Sequence, residues 1–305
     1  MKIINQIILA IVQATTELLP ISSTGHLLLA SQILKNPIDQ HYLSYLHFWT
    51  ALALLTYYSP KILKNLKSAA GRKLLINIGL ATLIPAAAGA ILADKIEAIF
   101  YNPVSIALAL SCWGIVMIFV FSKHKSKNTA ALNDKTDKDE TENEMTQKDP
   151  KNSAMKISET GSNHQAKFSH DTQTDNKSLS ELSLKKILLI GASQILAMIP
   201  GTSRSGVTLI SSSLLGLDWR SALDLSFLLA IPITLGAFLK ALVFDFSQVK
   251  VYFSGGYILS GIICFGLCVL VLYLMRRIKS GGSMLFFAVY RILIGIVILL
   301  TIGVD

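Results

Sequence analysis

Eight apolar runs, most of them near the length that crosses a lipid bilayer, exclude a soluble fold for most of this chain. They fall at about residues 3–35, 42–58, 74–93 and 103–121, and then at 185–215, 222–243, 251–275 and 284–303. A helix needs roughly 20 apolar residues to cross the hydrocarbon core, and only helices and closed barrels satisfy their backbone there. The expected fold is therefore all-α, a polytopic membrane helix bundle. Charged residues make up 15% of the 305 positions, against roughly 25% in an ordinary soluble domain. No small-residue cleavage site follows the first run, so that run is expected to stay in the folded protein.

Two of the runs are interrupted in the same manner. The first carries Gln13-Ala14-Thr15-Thr16-Glu17-Leu18-Leu19-Pro20-Ile21-Ser22-Ser23-Thr24-Gly25-His26, and the fifth carries Pro200-Gly201-Thr202-Ser203-Arg204-Ser205-Gly206. The prolines stand 180 positions apart, and each precedes a Ser/Thr cluster. Proline lacks an N–H and disfavours helix at the residue before it, so each run is expected to break there. Broken backbone and ionisable groups are tolerated at membrane depth only where they face protein or a watery cavity. The pair of breaks thus marks a working site, and the offset of about 180 recurs from Leu43 to Leu223 and from Pro103 to Ser283. A duplicated half is the simplest account.

Between the halves, residues 122–183 carry 10 Lys against 11 Asp plus Glu and almost no large apolar residues. Such a stretch buries too little to offset its ordering entropy, so it is predicted to be a disordered linker. The expected organisation is a membrane repeat at 1–121, the linker at 122–183, and a second membrane repeat at 184–305. The chain's net +9 does not point to nucleic acid, because the basic residues cluster at the ends of apolar runs. Lys61, Lys64, Lys67, Arg72 and Lys73 form one cluster; Lys123, Lys125 and Lys127, then Lys185 and Lys186, then Arg276, Arg277 and Lys279 form others. The positive-inside rule places all of them, and the linker, on the cytoplasmic side. Crossings then balance only if 3–35 and 185–215 each enter and leave by the same face. That predicts two re-entrant helix pairs, about six full transmembrane helices, and halves inserted in opposite directions.

Each break would aim a helix N-terminus at the interior, with Ser22 or Ser23 as the cap in the first half and Thr202 or Ser203 in the second. Free N–H groups and partial positive charge at such an end suit phosphate, and two converging ends suit a diphosphate. Arg204 adds a fork of donors for phosphate oxygens. Gln13 and Glu17 stand four apart and share a helix face; Glu17 is placed to hold a divalent cation, to act as a base, or to pair with Arg204. His26 lies one turn beyond Ser22 and Ser23 and is expected to face the same pocket. Asp224 and Arg291 either pair with each other or support the pocket. His47 and Lys240 read as structural or interfacial. Trp49, Tyr57, Tyr58 and Trp219 read as interface anchors. Cys112, Cys264 and Cys268 read as small hydrophobes, with no metal-ligand spacing around them.

At these positions the chain resembles the undecaprenyl-diphosphate phosphatases, integral membrane enzymes of the bacitracin-resistance type. The family's first motif corresponds to Gln13, Glu17, Pro20, Ser22, Ser23, Gly25 and His26, and its second to Pro200 through Gly206. Ser226-Phe227-Leu228-Leu229-Ala230-Ile231-Pro232 and Tyr290-Arg291 match as well. Gln13 stands where many members have Glu, Asp224 replaces a commoner Glu, the His47–Tyr58 segment lacks a usual Gln-Leu-Gly pattern, and the linker is longer than usual. The resemblance implies hydrolysis of undecaprenyl diphosphate to undecaprenyl phosphate and inorganic phosphate, recycling the carrier for cell-wall synthesis. It also implies bacitracin resistance on overproduction, a bacterial inner-membrane location, and a site open to the periplasmic side.

On this reading Glu17, Ser23, His26 and Arg204 are the catalytic candidates. Ser22, Gly201, Thr202, Ser203 and Ser205 bind substrate, and Gln13 with Glu17 hold the implied cation, Mg²⁺ or Ca²⁺. Ser23 attacks with Glu17 or His26 taking its proton, or Glu17 activates a water; the sequence does not choose. The expected partners are the lipid and the membrane, with no nucleic acid, and a homodimer is left open. A lipid-carrier flippase or other inverted-repeat transporter is the rival reading. A phosphatidic-acid-type phosphatase fits less well, because Ile210 stands where that motif needs a histidine.

Overall fold

The computed structural model describes residues 2–37, 39–122, 179, 182–244, 249–278 and 283–301. The predicted linker lies almost wholly outside them. Within the described residues the fold is all-helical. The first half comprises α1 (Ile3–Glu17), α2 (Ser23–Ile33), α3 (Gln40–Leu66), α4 (Ala69–Phe100) and α5 (Pro103–Ser122). The second comprises α6 (Leu184–Ser193), α7 (Arg204–Leu214), α8 (Trp219–Phe244), the short α9 (Val249–Tyr252), α10 (Gly255–Arg277) and α11 (Met284–Thr301).

Both prolines break their helices as expected. α1 ends at Glu17 and α2 begins at Ser23, whereas α6 ends at Ser193 and α7 begins at Arg204 after a 3-10 turn at Leu196–Met198. The helices flanking the breaks have 15, 11, 10 and 11 residues, short of the roughly 20 a crossing requires. Among the described residues five helices are long and apolar enough to cross a membrane: α4, α5, α8, α10 and α11. The sixth expected span lies in α3, which has the length, at 27 residues, but not the apolar composition. α3 runs through the interior, where its hydroxyls bond backbone carbonyls. Tyr42 donates to Gln6 O (2.6 Å) and Tyr45 to Tyr257 O (2.9 Å). The Tyr42 and Tyr45 hydroxyls are thus satisfied inside the bundle.

The repeat shows in the order of elements and in the packing. α2 starts at Ser23 and α7 at Arg204, 181 positions on; α5 starts at Pro103 and α11 at Met284, again 181 on. α1 packs chiefly on α10, and its counterpart α6 chiefly on α4, the counterpart of α10. Each half therefore lays its first helix on a late helix of the other, α1 on α10 and α6 on α4, and α3 packs against α8. The two stretches Met1–Phe121 and Lys177–Asp305 form one compact unit. Lipid tails are as apolar as leucine, so such helices associate by close packing rather than by a hydrophobic drive. Gly191 illustrates this: a side chain there would collide with the Ala81 carbonyl of α4.

Several polar residues sit elsewhere than the sequence suggests. Asp224 and Arg291 do not pair. Asp224 instead accepts from Tyr58 (2.8 Å), Lys61 (2.5 Å) and Arg276, tying α8 to α3 and α10. Tyr58 is thus a buried donor and not an interface anchor, and Trp49 packs over Gly261 of α10. Cys264 and Cys268 are buried free thiols, whereas Cys112 is exposed.

Candidate active site

α1 supplies the floor of the site from its last turn. Gln13 and Glu17 face the same way, with Gln13 Nε2 donating to Glu17 Oε2 (3.2 Å). Ser23, the first residue of α2, donates its hydroxyl to that same oxygen at 2.7 Å. The other carboxylate oxygen, Oε1, receives Arg204 Nη2 from the start of α7 at 2.5 Å. Arg204 is held from its far side by the Ala230 carbonyl of α8 (3.2 Å). The two breaks are thereby joined by an ion pair between their most reactive side chains.

His47, on α3, completes this cluster. Its Nδ1 lies 3.4 Å from Gln13 Nε2 and 3.9 Å from Glu17 Oε1. The sequence offered only a lone histidine, and a structural or interfacial role was the expectation. Its one available signal was the four-residue spacing from Leu43, which lines the same cavity.

His26 faces a different neighbour. Its Nδ1 lies 2.7 Å from the Ser22 carbonyl and its Nε2 lies 2.8 Å from the Tyr290 hydroxyl of α11. A carbonyl only accepts, so Nδ1 carries a proton, and in the neutral ring Nε2 accepts from Tyr290. The rings stack, with centroids 5.5 Å apart. Ser23 therefore bonds Glu17, while both nitrogens of His26 are engaged elsewhere.

The capping expectation divides between the halves. Ser203 caps α7, accepting from Gly206 N at 3.1 Å. Ser22 occupies the corresponding position of α2 with φ +70°, and its hydroxyl makes no capping bond. Ser22 Oγ and Thr202 Oγ1, 180 positions apart, are both buried with no hydrogen-bond partner among the described residues. Ser205 donates to the Leu19 carbonyl (2.8 Å) and Ser203 lies 3.0 Å from Ser205, so the second loop is pinned to the first. Gly201 has φ +92°, and any side chain there would strike the Ile106 carbonyl; only glycine suits the position.

Arg291 locks the two loops from behind. It is 0% exposed, and its Nη1 donates to Pro20 O and its Nη2 to Gly201 O, both at 3.0 Å. Its Nε points at Leu110 O (3.4 Å). One guanidinium thus holds a carbonyl from each break, which is the pocket-supporting alternative of the two that the sequence left open.

A cavity of about 350 Å³ opens beside this cluster and reaches it through Gln13, Ser23 and His47; Glu17 and Arg204 lie behind that lining. Gln13, Ser23 and His47 line its polar end, and Gln40, Glu97 and Tyr101 lie at its outer part. Gln40 begins α3, whereas Lys64 lies in its last turn, about 40 Å along the axis. The cavity therefore belongs to the end of the bundle opposite the basic cluster. Gln13 is 1% exposed and its Oε1 finds no partner among the described residues. An orphaned amide oxygen beside a carboxylate is a hard-oxygen donor set, of the kind that suits Mg²⁺ or Ca²⁺. Among the described residues no group of three or more His, Cys, Asp or Glu gathers as a self-sufficient metal site, so a cation here would need ligands from a bound phosphate or water.

The chain matches the family model described as bacitracin resistance protein BacA over residues 6–150 and 154–297. It is 29% identical to an undecaprenyl-diphosphatase of Acetivibrio thermocellus, covering 98% of this chain and 97% of that protein. It is 30% identical to undecaprenyl-diphosphatase 1 of Burkholderia lata, covering 98% and 95%. It is also 29% identical to an undecaprenyl-diphosphatase of Campylobacter fetus subsp. fetus, covering 99% and 100%.

Proposed function

The chain belongs to the bacitracin resistance protein BacA family, and from that membership we propose that it is a membrane phosphatase cleaving undecaprenyl diphosphate to undecaprenyl phosphate and inorganic phosphate. The observation that carries the reading is the convergence of Glu17, Ser23 and Arg204, from two breaks about 180 residues apart, on one small polar floor. Nothing in the packing of a bundle requires that convergence, and phosphoryl transfer does. Its catalysis consists of positioning and of stabilising charge on the phosphoryl oxygens.

In the mechanism that the contacts favour, the terminal phosphate enters against Arg204, the α7 N-terminus and the uncapped start of α2. Arg204 exchanges one carboxylate oxygen for phosphate oxygens, to which its fork is matched. Ser22 and Thr202 hydroxyls supply donors that have no other partner among the described residues. Glu17, already 2.7 Å from Ser23 Oγ, takes the serine proton as that oxygen attacks the terminal phosphorus. The bond from phosphorus to the bridging oxygen breaks and lipid phosphate leaves. Glu17 passes the serine proton to the departing lipid phosphate oxygen; the freed carboxylate then takes a proton from the water that attacks phosphoserine, and returns it to Ser23 Oγ as phosphate is released. His26 and Tyr290 keep the α2 start in place through the Ser22 carbonyl. Gln13 Oε1 and Glu17 would hold a divalent cation together with the substrate, and when bound it neutralises charge on the diphosphate oxygens.

Ser23→Ala is expected to lower kcat about 10²–10³-fold, and rapid quench of the wild type is expected to trap phosphoserine. Retained turnover in that variant, with no trapped phosphoserine, would assign the attack to water instead. The function itself is tested with purified protein in detergent, where no transport can occur. Phosphate release from a prenyl diphosphate, abolished by a chelator, is the expected result. A protein that releases none under any cation would be read as a transporter, which its intertwined repeat would also suit.

Sidedness follows from charge. The cavity lies at the end away from Lys61, Lys64, Lys67, Arg276 and Arg277, which the positive-inside rule keeps cytoplasmic. The site then opens to the periplasmic side of a bacterial inner membrane. The short helices α1–α2 and α6–α7 dip in and return as re-entrant pairs, and the two halves are inserted in opposite directions.

A further inference from the structure

The polar floor accounts for the charged end of the substrate, but one wall of the cavity has no role in that chemistry. Gly89, Ala93 and Glu97 of α4 line it, with Tyr101 just past the helix end. They are spaced four apart and so form one stripe along the helix. Side-chain size grows outward along it: none at Gly89, a methyl at Ala93, then the polar Glu97 and Tyr101 at the mouth. Leu27, Leu43 and Met198 line the same cavity.

Gly89 is not explained by packing. A side chain there would meet no heavy atom of the described residues within 4 Å, unlike Gly191, whose bareness lets α6 approach α4. Glycine also weakens a helix interior relative to alanine. Gly89 therefore leaves free volume beside the cavity at a cost to α4. A second observation points to a ligand in the same space: Gln13, 1% exposed, lines it with an oxygen that has no partner among the described residues. The cavity thus has a polar end and a stripped apolar wall, the shape of an amphiphile's first segment.

We propose that the Gly89–Ala93 stripe of α4 seats the first isoprene units of the substrate tail and selects for a methyl-branched chain. The proposal rests on the prenyl diphosphate reading above. A prenyl chain carries a methyl branch in every five-carbon unit, so it is wider than an unbranched alkyl chain and needs a wall without side chains. Filling that wall shifts the branched tail outward and draws the diphosphate away from Arg204 and Ser23, whereas a thinner chain still passes.

The test compares Gly89→Leu with Gly79→Leu. Gly79 lies on the same helix with equally open surroundings but outside the cavity. With farnesyl diphosphate, Gly89→Leu is expected to lower kcat/KM about tenfold, chiefly through KM, a change of the size that hydrophobic pockets deliver. With dodecyl diphosphate the loss is expected to stay under about threefold, and Gly79→Leu to match wild type on both. Ala93→Leu should act in the same direction, and size-exclusion chromatography checks that each variant folds. Equal losses at Gly79 and Gly89, or a Gly89→Leu enzyme within about twofold of wild type on farnesyl diphosphate, would overturn the seat. Binding of farnesyl monophosphate, followed by tryptophan fluorescence, separates this from the function. Gly89-dependent binding without any wild-type turnover would remove the phosphatase reading and keep the seat. Wild-type turnover indifferent to Gly89→Leu would do the reverse.

Discussion

Arg204→Ala and Glu17→Ala each lower kcat/KM on prenyl diphosphate by about a thousandfold, the upper range for losing one preorganised charge-stabilising group. The two losses are not additive. Glu17 Oε1 and Arg204 Nη2 lie 2.5 Å apart, so removing either leaves the other with a charge that has lost its main counter-ion. The double variant is expected within about tenfold of the worse single one, as for residues that act as a unit. Arg204→Lys does not restore activity, because one ammonium cannot span Glu17 and the Ala230 carbonyl while facing a phosphate. Steady-state phosphate release in detergent measures all four proteins. Fully additive losses would dissolve the pair as a functional unit.

Arg291→Ala carries the second large effect, and it falls on stability as well as on turnover. The substitution strips the partners from Pro20 O and Gly201 O. Each orphaned buried carbonyl costs about 1–3 kcal/mol, and the missing side chain leaves a void. The expected result is a sharply lower melting temperature in detergent and little activity in the protein that remains folded. Arg291→Lys is expected to recover part of the melting temperature but little of the activity, since one ammonium cannot hold both carbonyls in their present register. An Arg291→Ala protein that melts with wild type would show that the loops hold themselves.

Local chemistry was legible in the sequence. Pro60, Pro85 and Pro232 stand inside helices, so it was the Ser/Thr cluster after Pro20 and after Pro200, and not proline alone, that made those two breaks readable. Gln13 and Glu17 meet because four residues make about one helical turn, and Ser203, with ordinary extended backbone, caps α7 as a hydroxyl before a helix commonly does, whereas Ser22 at φ +70° does not cap α2. What was not legible depends on which helices become neighbours. His47 joins Glu17 only because α3 passes behind α1. Asp224 finds Lys61 and Arg276 on two other helices, and no spacing within its own segment announces either. Tyr58 looked like a surface anchor because its amphipathic ring fits a membrane boundary and a buried carboxylate equally well. The exchange of first helices between the halves is likewise a property of the assembled bundle, which a repeat offset alone does not specify.

The clasp made by Arg291 sits on α11, the last helix to leave the ribosome among those described. A nascent chain with α10 already inserted holds Glu17, Ser23, Arg204 and the Ser205–Leu19 tie between the loops, yet not the guanidinium that grips a carbonyl from each. Firm alignment of the two loops therefore waits for α11. A chain stalled or clipped before that helix would sit in the bilayer with its reactive groups held by fewer bonds, less active toward the lipid pool around it.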